Sequence, residues 1–313
     1  MSWPKLPARA AYLALKNPQH RNALSLSVLK DLKQQLVQYN TSPVDGALRI
    51  LPPFRPNVLD DLEAVADGRA EGTELDADLR WLLDAETWRR ERAGLPSVIV
   101  LRSEGPVFSS GHDLAELQKM SRDEVKETFM HCADLMCLIR RSPAPVVGVI
   151  QGLATAAGAQ LALSTDLPIA AADTPFQLPG ASIGLPCTSP STAVSRRLGP
   201  AFAYRMMALA EPMPADQLPG GAVGVVSGPG ELERRVKQIT AKLSDEYATQ
   251  PQALGKWAFW TQMGMNGSKN GGDGYEDAVP LAARIMALHA KSADAREEGI
   301  GAIFEKQRPL WKT

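Results

Sequence analysis

Phe108-Ser-Ser-Gly-His-Asp-Leu-Ala-Glu-Leu117 follows the apolar run Val98-Ile-Val-Leu101 across a Pro-containing turn. It is small and polar in the middle and turns helical at its end. A strand that leads through a small-residue turn into a helix exposes backbone N–H groups at the helix start. Those groups suit a developing negative charge. Asp113 has the chemistry of an N-cap, and Glu116 lies in the first helical turn. Many strand–turn–helix units share this pattern, so alone it decides little.

A second unit of the same form lies downstream. Pro145-Val-Val-Gly-Val-Ile150 reads as a buried strand, followed by Gly152-Leu-Ala-Thr-Ala-Ala-Gly-Ala-Gln160 and then Leu161-Ala-Leu-Ser-Thr-Asp166. Two such turns can each offer one N–H to a single oxygen, which is the logic of an oxyanion hole.

Taken together these segments resemble the crotonase (enoyl-CoA hydratase/isomerase) family. The matching pieces are Arg21-Asn-Ala-Leu24, Ser110-Gly-His-Asp-Leu114, residues 152–166, residues 176–186 and the closing segment Glu297-Glu-Gly-Ile-Gly-Ala-Ile-Phe-Glu-Lys-Gln-Arg-Pro309. The likeness is strongest to a mitochondrial subgroup. It covers residues 10–40 and 96–313 and implies an α/β fold, a spiral of repeated ββα units with a helical C-terminal region. Residues 1–230 would form the spiral core and 231–313 the helical part, which in the family assembles protomers into homotrimers or pairs of trimers.

Bulk properties fit. A chain of 313 residues with 44% hydrophobic content can bury a full core. The net charge of −1 supplies no field for nucleic acid or an anionic membrane. No apolar run of about 18 residues is present, so no membrane-spanning helix is expected. Met1-Ser-Trp-Pro-Lys-Leu-Pro7 has neither a signal-peptide nor an Arg-rich transit pattern. Composition therefore reads as cytoplasmic, and the resemblance as mitochondrial with the presequence absent. Cys132, Cys137 and Cys187 lack CxxC spacing and read as free thiols. His20, His131 and His289 lie in polar or helical surroundings, and no metal-ligand spacing appears. No metal or cofactor is expected; the coenzyme A thioester would be the substrate.

In chain order, residues 10–15 suggest a first strand, and Ser25 caps a helix with Val28, Leu29, Leu32 and Leu36 on one face. Residues 41–95 do not fit the family, an insertion of about fifty residues, long enough to suggest a function as lid or intersubunit arm. Its plainer reading is a surface insertion packed by Trp81 and Trp88, with a short helix carrying Leu59, Leu62 and Val65 and a helical pattern over 78–92. Residues 123–139 form an amphipathic helix, 167–172 a strand, 191–198 a helix, and 264–274 a loop within a mainly helical C-terminal part.

By resemblance, the oxyanion donors are the backbone N–H groups of His112 and Ala157. Arg21, Ala23 and Leu24 match the segment along which coenzyme A lies, with Arg21 placed to meet a phosphate. Ser110, Asp113 and Leu114 belong to the same CoA-facing turn, Asp113 as a helix cap rather than an acid. Hydratases of the family use two glutamates as general acid and base. Here those positions hold Gln160 and Gly180. A glutamine has no proton to exchange near neutral pH, and each lost acid or base is worth about 10²–10⁴ in rate. Slow or absent enoyl-CoA hydration is the expectation. The Ser-Gly-His-Asp form also resembles methylmalonyl-CoA decarboxylase of the same family, which needs the hole but no strong base. In that enzyme a Tyr follows Gly-Val-Pro, whereas Cys187 follows Gly184-Leu-Pro186 here. Cys187 as a thioester-cleaving nucleophile lacks any base by motif. The imidazole of His112 is the one strongly proton-active side chain near the hole, with a reference pKa of about 6.5. Two readings stay open: an enolate-forming acyl-CoA enzyme, such as a decarboxylase or thioesterase, or a non-catalytic acyl-CoA-binding protein.

Overall fold

A computed structural model describes residues 3–264, 274–277, 279–280, 283, 287 and 299–307. Its large sheet is wholly parallel, in the order β1 (Ala10–Leu15), β2 (Val98–Ser103), β3 (Val146–Ile150), β5 (Leu167–Ala171) and β8 (Gly224–Val226). A small second sheet joins β4 (Ala154–Thr155), β6 (Pro175–Gln177) and β7 (Met213–Pro214). Single bridges, Ser109 to Ala154 and Leu24 to His112, carry that second layer on to the first two units. Each of the first four large-sheet strands thus gives way to a short segment in the second layer, and then to helix. This is the expected spiral of ββα units.

The unbroken apolar runs follow from burial on both faces of a parallel sheet. Ile99 and Leu101 point into the main core, and Val98 and Val100 into a second core on the opposite face. The main core is closed by α1 (Leu26–Asn40), α6 (Arg122–Arg141), α7 (Ala157–Ser164) and α8 (Thr188–Leu198). The second core is closed by Leu232 and Val236 of α10 (Pro229–Ala241). The part after residue 230 therefore shares the core of the sheet. Ser25 caps α1, and Ser121 with Glu124 forms a reciprocal capping box on α6.

The insertion folds as α2 (Val58–Ala66), α3 (Glu74–Leu83) and α4 (Ala85–Glu91). The single pattern expected over 78–92 breaks at Asp84, whose carboxylate caps α4. Val58, Leu62 and Val65 are the buried face of α2, while Leu59 is exposed. Trp81 and Trp88 stack with centroids 5.4 Å apart. Leu51, Phe54 and these rings share a third core with Ala253 and Trp257 of α11 (Thr249–Gly264). The insertion is thus a three-helix platform for a C-terminal helix.

Further helices among the described residues are α5 (Leu114–Lys119), α9 (Pro200–Leu209) and α12 (Gly301–Glu305). Helix α8 begins three residues before the expected 191, and β5 ends one before 172. The expected loop at 264–274, apart from its end residues, lies outside the described residues, as do His289 and both ends of the closing segment 297–309. No described helix is long and apolar enough to cross a membrane.

Candidate active site

The segment after β1 sets the first wall of the site. Pro18–His20 makes a 3-10 turn, and Arg21 and Asn22 follow with φ of 53° each. Asparagine tolerates that left-handed conformation because its short amide bonds locally. Buried Asn22 donates from Nδ2 to the carbonyls of Glu104 and Val107, both at 2.7 Å, and its Oδ1 accepts from the Asn17 N–H at 2.8 Å. It also accepts the Ser109 hydroxyl on its carbonyl at 2.8 Å. Asn22 thus ties the 17–24 segment to the loop that precedes His112. Sequence reasoning did not single it out, although it sits inside the Arg-Asn-Ala-Leu motif. Arg21 is exposed, and its carbonyl accepts from the Ser110 N–H at 3.1 Å. The side chains of Ala23 and Leu24 are buried. Expected as CoA-binding residues, they have only backbone to present to a ligand.

The two turns meet at Gly111 and Ala157. Gly111 has φ 85°, and its carbonyl accepts from the Leu24 N–H at 2.8 Å. A Cβ added there would lie 2.9 Å from Cβ of Ala156, 3.1 Å from the Thr155 oxygen and 3.3 Å from the Ala157 nitrogen. The backbones therefore touch at a place where only glycine fits. Ala156 has φ 51° and ψ −123°, a sparsely populated conformation held by its N–H bond to the Gln177 carbonyl at 2.9 Å. It turns the chain so that Ala157 opens α7. Among the described residues, neither the His112 nor the Ala157 N–H donates a hydrogen bond. Helix α7 is buried on every side, and its dipole adds partial positive charge at Ala157.

The side chain of His112 faces the core. It is 9% exposed, its Nδ1 lies 3.3 Å from the Leu24 carbonyl, and its ring meets Phe129 edge-on at 4.5 Å. Burial pushes the imidazole down to about 4, opposed in part by the Leu24 bond. The ring is neutral at pH 7, with the proton assigned to Nδ1 because a carbonyl only accepts. This corrects the expectation of a proton-active group: the ring anchors the loop. Asp113 is the cap that was expected, accepting from the Ala115 and Glu116 N–H groups at 3.0 and 3.1 Å. Glu116 in turn accepts the Leu26 N–H at 3.1 Å. Ser110 and Leu114 are half-buried on the same turn.

The two glutamate positions differ in kind. Gln160 is fully buried, accepting from the Ser189 hydroxyl at 3.2 Å and approaching the Thr192 hydroxyl with its amide at 3.5 Å. At Gly180 there is no room for a side chain: a Cβ would lie 2.0 Å from the Leu185 oxygen and 2.8 Å from both the nitrogen and the sulfur of Cys187. The Leu185 N–H donates to the Gly180 carbonyl at 2.9 Å, and the Gly180 N–H to the Cys187 sulfur at 3.2 Å. Gly180, which the resemblance places at a catalytic position of the family, is therefore a packing position. Cys187 is buried and its thiol is pushed up to about 11, so the nucleophile reading fails as well.

Comparison with known proteins agrees with this fold. The enoyl-CoA hydratase/isomerase family matches residues 93–313, beginning where the insertion ends. The rat mitochondrial enoyl-CoA hydratase domain-containing protein 3 is 32% identical over 301 residues, 96% of this chain and 80% of its own. The crystal structure of human enoyl-CoA hydratase domain-containing protein 3 superposes with a TM-score of 0.60 at 27% identity, covering 98% of each chain. Methylmalonyl-CoA decarboxylase shares the fold, with a TM-score of 0.64 at 20% identity over 99% of each chain.

Proposed function

This chain belongs to the enoyl-CoA hydratase/isomerase family, and we propose that it binds an acyl-CoA thioester and stabilises its enolate between the N–H groups of His112 and Ala157. The observation that carries this reading is the contact of the two turns. Gly111 brings the first turn against the Ala157 nitrogen, so the first-turn N–H of His112 lies beside the α7 N-terminus. Two N–H donors at a low-dielectric site hold a thioester oxygen as charge builds on it, each worth about 10²–10³ in rate.

The same site supports no hydration by paired carboxylates. Gln160 cannot exchange a proton, and the space of the second glutamate is occupied by the 185–187 backbone. The reaction class that suits a hole without a base is decarboxylation of a malonyl-type thioester. The bond between Cα and the carboxylate carbon breaks, its electron pair flows into the thioester carbonyl, and carbon dioxide departs. Water then supplies the proton to Cα. The family's place in acyl-CoA chemistry makes fatty-acid metabolism the setting of this lyase reading. By likeness to the mitochondrial relatives, the compartment is the mitochondrion. Exposed Ile303 and Phe304 on α12 support a homotrimer or hexamer built through the C-terminal part.

A second reading, a binding protein without turnover, draws on the neutral His112 ring and the sealed Gly180. Mass spectrometry of the protein incubated with enoyl, malonyl, methylmalonyl and saturated acyl-CoAs separates them. Loss of carbon dioxide establishes the decarboxylase, and binding with no conversion establishes the second reading. Rapid gain of water by the enoyl esters overturns both.

A further inference from the structure

A cavity of about 520 Å³ lies between the last part of the insertion and the N-terminal ends of β1 and β2, with Arg9, Tyr39, Trp88, Arg89, Arg92 and Ser97 in its walls. The described lining residues include three arginines and no carboxylate. The Ser97 N–H and hydroxyl both donate to the Arg9 carbonyl, at 2.8 and 3.0 Å, and fix the sheet side of the cavity. Trp88 fixes the insertion side. Its ring stacks on Trp81, and its indole N–H donates to the Thr249 hydroxyl at 3.0 Å.

Arg92 is the buried cation of this cavity. It is 9% exposed, and its guanidinium carbon lies 5.9 Å from the Trp88 ring centroid. It donates to the Tyr39 carbonyl and to Asn40 Oδ1, both at 3.2 Å, and to the Pro96 carbonyl at 2.9 Å. All three acceptors are neutral. The adjacent Glu91 is committed to Arg49 at 2.9 Å, and Asp84 to the start of α4. A buried cation facing no opposite charge is costly, and burial pushes Arg92 down to about 10. Arg9 and Arg89 are exposed at the rim. Arg9 donates to the Ser244 carbonyl at 3.2 Å, and Arg89 to its own helix at the Ala85 carbonyl, 3.1 Å away. Asp245, next to Ser244, accepts that residue's hydroxyl at 2.8 Å. Among the described residues, none of the three arginines pairs with a carboxylate. A guanidinium has five N–H donors, so Arg9 and Arg89 keep several beyond these bonds.

We infer that this cavity binds a small organic oxyanion, its phosphate or carboxylate head among Arg9, Arg89 and Arg92 and its apolar or aromatic body against Tyr39 and Trp88. Guanidinium forks match both kinds of head bidentately. The volume falls within the range of about 300–1,000 Å³ usual for small-molecule pockets. The site is separate from the one proposed for the thioester. Strand β2 has six residues, so at about 3.3 Å per residue it spans roughly 20 Å. The cavity lies at its Ser97 end, and the His112 loop follows its other end. Such a ligand would also tie the insertion, through Trp88, Arg89 and Arg92, to the first strand at Arg9.

The test uses the full chain in calorimetric titrations with phenyl phosphate and with benzoate, at ionic strength fixed by chloride. The two probes share a body and differ in the head. Saturable binding of phenyl phosphate marks a phosphate head, and of benzoate a carboxylate head; either supports the site. The double variant Arg9→Gln with Arg89→Gln alters two exposed positions and leaves Arg92 and the core in place. It should weaken binding about tenfold or more, through the loss of charge-assisted hydrogen bonds, while its affinity for acetyl-CoA stays that of the parent chain. Saturable binding of neither probe, binding that merely tracks ionic strength, or binding that the double variant leaves unchanged overturns the proposal. Orthophosphate binding as tightly as phenyl phosphate overturns the part assigned to Tyr39 and Trp88. A parallel loss of acetyl-CoA affinity in the double variant overturns the claim that the site is separate.

Discussion

The α-carbon of Gly180 faces the carbonyl of Leu185 so closely that a Cβ would lie 2.0 Å from that oxygen. The position where the resemblance implies a hydratase's second carboxylate thus has no room for a side chain. Gly180→Glu should not restore hydration. It should instead displace residues 185–187 and lower stability by about 2–4 kcal/mol, in the range of steric and overpacking changes. Denaturant unfolding of the variant, with crotonyl-CoA hydration assayed alongside, checks both. A stable and active Gly180→Glu protein would refute the packing argument.

Gln160→Glu asks a gentler question, because the carboxyl fits where the amide is. Protonated, it can keep the bonds to Ser189 and Thr192. Ionised, it is a buried charge facing hydroxyls alone, and burial raises its pKa above the unfolded value of about 4.3. The unfolded chain then loses its proton first, so stability should fall as pH rises above that value. The variant should match the parent near pH 4 and be about 1–3 kcal/mol weaker by pH 8. Thermal unfolding across that range reads the slope directly. A flat difference would show that the site is wetter than its burial implies.

Much of this architecture was legible in local pattern. The apolar runs at Val98 and Pro145 and the spacing of α6 each carry a period long enough to recognise. The strands of the small sheet were harder, because β4 is two residues long and β7 likewise. The two turns of the proposed hole were readable as motifs, yet the Gly111 contact depends on Ala156 adopting a positive φ that alanine rarely takes. Arg140 and Arg141 end a helix and look like solvated charges, but Arg140 is buried against rings contributed by α11 and by Tyr275. Likewise Gly180 reads as a lost side chain until Leu185 folds back upon it. In each case the missing information is a partner distant in sequence.

The insertion should prove structural. Trp257 is buried in the core it shares with Leu51, Phe54 and Leu62, and its indole N–H donates to the Pro53 carbonyl at 3.1 Å. Trp257→Ala should cost about 3–5 kcal/mol, the range for emptying an aromatic core site. A peripheral arm would give under about 1 kcal/mol. Equilibrium unfolding in urea separates the two.

His112 should make stability depend on pH in mild acid. Its folded value of about 4 lies below the ordinary 6.5 because burial disfavours the charged ring. Between those values the unfolded chain binds the proton that the folded chain refuses. The contribution is complete above pH 6.5 and lost as pH falls to about 4, amounting to no more than about 3 kcal/mol. His112→Asn keeps a donor toward Leu24 and removes the titration, so the acid slope of stability should flatten. Turnover of the best acyl-CoA should persist in this variant, because the proposed donor is the backbone N–H. A hundredfold loss with the fold intact would return the imidazole to the chemistry.

Gly111→Ala tests the hole itself. The added methyl would press on Ala156, the Thr155 oxygen and the Ala157 nitrogen at 2.9, 3.1 and 3.3 Å, and φ 85° is strained for any L side chain. Backbone strain of this kind costs about 1–3 kcal/mol and lowers stability accordingly. Relief comes by separating the two turns, which pulls one N–H away from the oxygen it shares with the other. Turnover should drop by about 10²–10³, the loss of one donor. Ground-state acyl-CoA affinity should change much less, because the thioester carbonyl carries little charge before reaction. A matched fall in affinity and rate would instead mean that the turns form the binding cleft without serving as donors. The ratio of kcat to KM effects therefore decides whether His112 and Ala157 act on the enolate or only on the bound ester.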